Sequence, residues 1–174
     1  MPAARALACP ATPPERTENT NPRKNGMTER TSGAGGHVSG VPFVDHLGVT
    51  VAEEGNGTSL LLLDLRPELR NTHGGAHGGV VMTMLDVAMA RAVRGLARHQ
   101  GDADHGVVTI EMKSSFFQPG TGERLLARGT SVHRTTTMCF AEAELHDETG
   151  RLVARSSGTF KLLRPKPGAA KSSK

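Results

Sequence analysis

The sequence predicts an α+β domain in which an antiparallel sheet wraps one long central helix. Three observations point there. Helical periodicity runs from about His77 to Ala97, and after the Gly78-Gly79 pair no Gly or Pro interrupts it until Gly95. Four consecutive segments with strand-like alternation follow, separated by turn residues. The front half of the helix (Val80, Val81, Met84, Leu85, Val87, Ala88) is apolar nearly all round, so it needs cover on most sides.

The chain has 174 residues, enough for one domain with a single core. Hydrophobic residues make up 36%, with no Trp or Tyr and five Phe, so the core must be aliphatic. No segment approaches the roughly 20 apolar residues of a membrane helix. The opening "MPAARALACPATPP" holds an apolar run too brief for a signal-peptide core. Net charge is +4, with many of the cations near the two ends. No basic stripe is interleaved with aromatics, which argues against a nucleic-acid partner and leaves an anionic small molecule open. Cys9 and Cys139 have neither disulfide nor zinc spacing, and a reducing cytoplasm is the simplest setting.

Residues 1 to about 40 are rich in Pro, Gly, Thr, Asn and charge without a hydrophobic period, and are read as a disordered tail. Residues 164–174 are read the same way, which leaves the folded domain at 41–163. Within it, Pro42 opens a short helix carrying Phe43, Val44 and Leu47, and Gly48 ends it. "GVTVAEEGNGTSLLLLDL" is a β-hairpin turning through Gly55-Asn56-Gly57. "RPELRN" is a loop, and so is "HQGDADHG" on the far side of the long helix. Then come the strands "VVTIEMKSSFF", bounded by Pro119-Gly120, "ERLLARGTSVHR", "TTMCFAEAELHDE" and, after the turn "DETG", "RLVARSSGTFKLL". Consecutive strands joined by short turns are expected to pair antiparallel.

On the long helix, Met82, Asp86, Met89, Ala90 and Val93 are placed on one side, and Arg91, Arg94 and Arg98 on the opposite side. Asp86 is the anomaly, because an ionised carboxylate on an apolar face loses hydration. It is either bonded to a neighbouring group for structural reasons or it is a general base or nucleophile. Ahead of the helix, "HGGAHGG" also has two readings. It is a flexible loop where chain segments pack closely, or it leaves backbone N–H groups open to an anionic oxygen at a helix start. It lacks the Lys-Ser/Thr ending of a phosphate-binding loop. His73 and His77 are four apart, but no Glu or third His follows at metalloprotease spacing, so no metal is expected. No Gly-x-Ser-x-Gly elbow is present.

Asn71, His77-Gly78-Gly79 and Asp86, in the pattern N-x5-HGG-x6-D, resemble the hotdog-fold acyl-CoA thioesterases of the phenylacetic-acid-degradation type. The resemblance covers about residues 40–163. It implies a hotdog fold, a homodimer or homotetramer with sites shared between subunits, and hydrolysis of aryl- or short-to-medium-chain acyl-CoA without a cofactor. Asp86 would activate water or attack the thioester. Gly78, with His77 beside it, would polarise the carbonyl, and Asn71 would help to position it. Thr109 stands where some relatives carry a water-assisting serine. Gly79, Met82, Met89 and Phe116 would contact substrate, and Arg91, Arg94, Lys113 and Arg134 are candidates for the CoA phosphates. A hotdog protein that binds acyl-CoA without hydrolysing it is the alternative.

Overall fold

Gly48 is left-handed (φ 83°) and stops the first helix, α1 (Pro42–Leu47), as expected of a glycine after an amphipathic turn. The computed structural model describes residues 41–101 and 106–163 and the backbone of 36–37, all within one unit, Ala34–Lys174. Asn56 (φ 46°) and Gly57 (φ 81°) close the hairpin between β2 (Thr50–Gly55) and β3 (Thr58–Asp64). Positive φ at both central residues is the type I′ pattern that an Asn-Gly pair favours. A two-residue strand, β1 (Gly36–His37), pairs with β2, so regular backbone begins inside the segment read as tail. "RPELRN" contains one 3₁₀ turn, Pro67–Leu69. Positions 102–105 of "HQGDADHG" lie outside the described residues, as do residues 1–35, 38–40 and 164–174.

The long helix α2 runs Gly78–His99, with His77 as its cap and two more residues at its end than the periodicity predicted. Four long strands follow: β4 (Gly106–Phe116), β5 (Arg124–Arg134), β6 (Met138–Asp147) and β7 (Leu152–Leu163). All pairings are antiparallel, in the order β1-β2-β3-β5-β6-β7-β4. One expectation is corrected: β4 pairs with β7, and β5 pairs with β3. The connection 117–123 carries the chain from the sheet edge to its middle. Phe117 N–H donates to Val153 O at 2.9 Å, and Leu65 N–H donates to Glu123 O at 2.7 Å.

The core is aliphatic. Val81, Met84, Leu85, Met89 and Val93 of α2 pack with Leu61, Leu63, Leu125 and Leu145 of the sheet. Of the five phenylalanines Phe160 alone is buried; Phe43, Phe116, Phe117 and Phe140 are all more than 40% exposed. The helix meets the sheet most closely at Gly129. A Cβ added there would lie 2.2 Å from the Ala88 carbonyl oxygen, inside any tolerable contact. That oxygen accepts a hydrogen bond from the buried Ser59 hydroxyl at 2.8 Å. Strand β5 therefore has room for the helix backbone only because one of its residues has no side chain.

At the β6–β7 turn Asp147 is 2% exposed. Its Oδ1 accepts from the Thr149 N–H (3.0 Å) and hydroxyl (2.6 Å) and the Arg151 N–H (3.1 Å), and its Oδ2 accepts from Arg151 Nε at 2.8 Å. Arg151 also donates to the Thr121 hydroxyl at 2.8 Å, which ties the turn to the 117–123 connection. Burial pushes the Asp147 carboxyl up, but the bonds from Thr149 and Arg151 outweigh it and hold the pKa at about 2.

Two outcomes follow. Gly129→Ala should lower unfolding stability by about 3 kcal/mol or more in urea titrations, since backbone must move to admit a methyl. The stability contributed by Asp147 is present above the ordinary carboxylate pKa and is lost as pH falls through about 2. Asp147→Asn should therefore cost about 2 kcal/mol at neutral pH, and the difference from wild type should shrink between about pH 4 and 2.

Candidate active site

The segment "NTHGGA" folds back on itself. Asn71 N–H donates to Gly75 O (2.7 Å), Gly74 N–H donates to Asn71 O (3.0 Å), and Gly74 takes φ 80° to close the turn. The Asn71 side chain is engaged inside this loop. Its Oδ1 accepts from His73 N–H (2.9 Å) and Gly75 N–H (3.2 Å), and its Nδ2 donates to Ala76 O (3.3 Å). Arg70, which the sequence did not single out, clamps the same loop from outside. It donates to Gly74 O (2.8 Å), Leu65 O (3.0 Å) and Gly122 O (2.8 Å). An arginine in a polar loop carries no pattern that would have marked it.

His77 caps α2. Its Nδ1 accepts the Gly79 N–H at 3.1 Å, and its carbonyl accepts from Val80 and Val81. The Gly78 N–H has no hydrogen-bond partner among the described residues, and Gly78 is exposed. The exposed Phe116 ring stands beside it, 4.0 Å from where a Gly78 Cβ would be. The helix start thus holds Gly78, Gly79, His77 and Phe116 together, with one donor free.

Asp86 lies two turns further on. It is partly buried, and its Oδ1 accepts a hydrogen bond from the Thr109 hydroxyl at 2.7 Å. Thr109 adjoins the β-bulge in the β4–β7 pairing, where the register shifts between Thr109 and Glu111. Both residues line a groove of about 710 Å³ whose walls include Phe43 and Val44 of α1, Met82, Thr83 and Val87 of α2, and Met112 of β4. Thr83 turns its hydroxyl back to Gly79 O at 2.9 Å, so the wall near Asp86 is mainly apolar. A volume of this size suits a small-molecule chain.

The structure sorts the remaining candidates. Met82 is in the groove, whereas Met89 is fully buried in the core beneath Gly158 and does not line it. Arg91 and Arg94 line the same groove as Asp86, so their placement on the opposite side is corrected. Eight residues of α-helix bring Arg94 only about 80° round from Asp86, and the groove spans a wide arc. Lys113 belongs to a separate outer-face depression with Ser115, Arg155 and Ser157, and Arg134 bonds Gln100 at the far end of α2. Within one chain, Gly78 and Asp86 are separated by about 12 Å of helix rise. Among the described residues no three His, Cys, Asp or Glu cluster as metal ligands, and no helix is long and apolar enough to cross a membrane.

A solved protein from the thioesterase superfamily is 30% identical, with a TM-score of 0.63, and the match covers 74% of this chain and 93% of that one. The chain belongs to the thioesterase superfamily. The superfamily's own sequence profile matches residues 73–154, a span that holds the glycine pair, Asp86 and Thr109. A solved mutant of the phenylacetic acid degradation protein PaaI from Thermus thermophilus is 29% identical (TM-score 0.61), covering 71% of this chain and all of that one. The medium/long-chain acyl-CoA thioesterase YigI of Escherichia coli is 29% identical over 93 residues, 48% of this chain and 60% of that relative. This superfamily member is a PaaI-like hotdog protein and a thioester hydrolase.

Proposed function

We propose that the chain hydrolyses acyl-CoA thioesters, with aryl or short-to-medium acyl groups, to free acid and CoA in the cytoplasm. The observation that carries this reading is the Asp86–Thr109 pair at 2.7 Å in the wall of a partly apolar groove. Thr109 occupies one lone-pair site of Oδ1 and orients the carboxylate, leaving Oδ2 for a water or for direct attack on the carbonyl carbon. As general base, Asp86 takes a proton from water while the oxygen attacks the thioester. Negative charge collects on the carbonyl oxygen, and a free N–H such as that of Gly78 stabilises it. The CoA thiolate then leaves and takes up a proton. The reaction is redox-neutral and uses only carboxylate, hydroxyl and backbone donors, so it calls for no cofactor.

The separation of about 12 Å between Asp86 and Gly78 along one helix supports a site completed by a second copy. One subunit supplies Asp86 and Thr109, and the other supplies the helix start. Among the described residues strand β4 forms one edge of the sheet and exposes Val108 (40%) and Ile110 (54%), a surface suited to pairing with another chain. A homodimer, alone or doubled to a tetramer, fits both features. In this arrangement Met82 and Phe116 face substrate from the two ends, and Asn71 serves by shaping the loop behind Gly78.

Thiol release from a panel of acyl-CoAs tests the reading. Asp86→Asn should lower kcat at least about 100-fold while the melting temperature stays near wild type, and Thr109→Val should lower it about tenfold. Full activity in folded Asp86→Asn would falsify the assignment, and ligand-induced thermal protection without thiol release from any substrate would identify a binding protein. Sedimentation velocity should find a dimer or tetramer; an active monomer would rule out the shared site.

A further inference from the structure

The groove that holds Asp86 also holds a restrained arginine. Arg91 lies five residues further along α2, about 7.5 Å in helix rise. Its side chain is only 15% exposed, and Nη1 binds Glu54 Oε2 of β2 at 3.0 Å. Glu54 is equally shielded (14%), and its other oxygen accepts from Arg98 Nη1 at 2.7 Å. The guanidinium is therefore fixed in position while contacting Glu54 through one nitrogen, and its planar fork carries further N–H donors. The groove it lines also holds Val87, Ala90, Val107 and Met112, an apolar stretch of wall, together with Asp86, Thr109 and a second arginine, Arg94.

As a bridge between β2 and α2 alone, Arg91 would be redundant, since Arg98 already ties the same carboxylate to the same helix. What distinguishes Arg91 is its place in the wall shared with the reacting pair. We infer that Arg91, held by Glu54, binds a carboxylate at the far end of the acyl chain, so that half-thioesters of dicarboxylic acids are the preferred substrates. This rests on the thioesterase reading of Asp86. In the resulting arrangement the thioester sits at Asp86 and Thr109, the methylenes lie against the apolar wall, and the distal carboxylate meets the guanidinium. Arg91 sets specificity and takes no part in the bond changes.

The same cation could instead meet a CoA phosphate, and the experiment separates the two sources by comparing substrates that share CoA. Pairs of equal chain length, glutaryl- against pentanoyl-CoA and adipyl- against hexanoyl-CoA, are assayed with the full chain. Wild type should favour the diacid member at least tenfold in kcat/KM, mainly through KM. Arg91→Met should abolish that ratio, and Arg98 keeps Glu54 paired in this variant. Arg91→Lys, which keeps the charge without the planar fork, should give an intermediate ratio and serves if the Met variant fails to fold. A phosphate contact or a purely structural bridge would lower both members together and leave the ratio intact, which overturns the proposal. Equal wild-type rates for both members overturn it as well. If no substrate is hydrolysed, the thioesterase reading fails separately. Thermal protection by glutaryl- over pentanoyl-CoA, lost in Arg91→Met, then decides the arginine's role.

Discussion

The contact on which the architecture depends is the approach of the Ala88 carbonyl to Gly129. A helix normally rides over a sheet on a layer of side chains, but here its backbone comes down to the strand itself. The Ser59 hydroxyl meets the lowered carbonyl, so the close contact leaves no buried polar group unbonded. Ala88 and Ala92 on the inner face of the helix permit the same proximity. Asp86 lies about 200° round the helix from Ala88. Strand β5 therefore grips one side of the helix, while β4, at the end of the sheet, reaches the other through Thr109. The carboxylate is thus set by the curl of the whole sheet and not by its own neighbours in sequence.

That geometry explains which parts of the molecule were legible beforehand. The helix and the strands announce themselves by their periods, because burial on one face recurs at 3.6 or 2 residues. Asp86 was legible because a carboxylate in an apolar stretch is a chemical conflict visible within one element. Strand order was not, since alternation specifies the face a residue takes and says nothing about its neighbour; hence β4 beside β7. The helical wheel also failed where cover changes along the axis. Met82 and Met89 share a side, yet one opens on the groove and the other lies under Gly158. Arg91 and Arg94 seemed remote from Asp86 because the wheel was divided into two halves, whereas the groove follows a broader arc.

Family likeness contributed what local physics could not. No spacing rule links Thr109 to Asp86 across 23 positions; the hydroxyl was named because relatives place one there, and the 2.7 Å bond shows the two side chains meeting. Asn71 is held differently. Its place in the motif suggests contact with a reacting group, but its amide oxygen and nitrogen are both bonded within its own loop. These bonds fold the backbone that precedes the free Gly78 N–H, and one Nδ2 hydrogen is left over for a further partner.

The loop ahead of α2 has its moorings far from the reacting groups. Arg70 holds it to Gly122, and Ala76 N–H holds it to Gly120 O, both in the connection 117–123. That connection is moored in turn by Thr121 to Arg151, and Arg151 to the buried Asp147. The loop that leads to the free Gly78 N–H hangs at the end of a relay of side chains that starts in a hairpin bend. If Gly78 donates to substrate as proposed, damage to that bend would reach the chemistry as a misplaced amide, with the residues of the groove still intact.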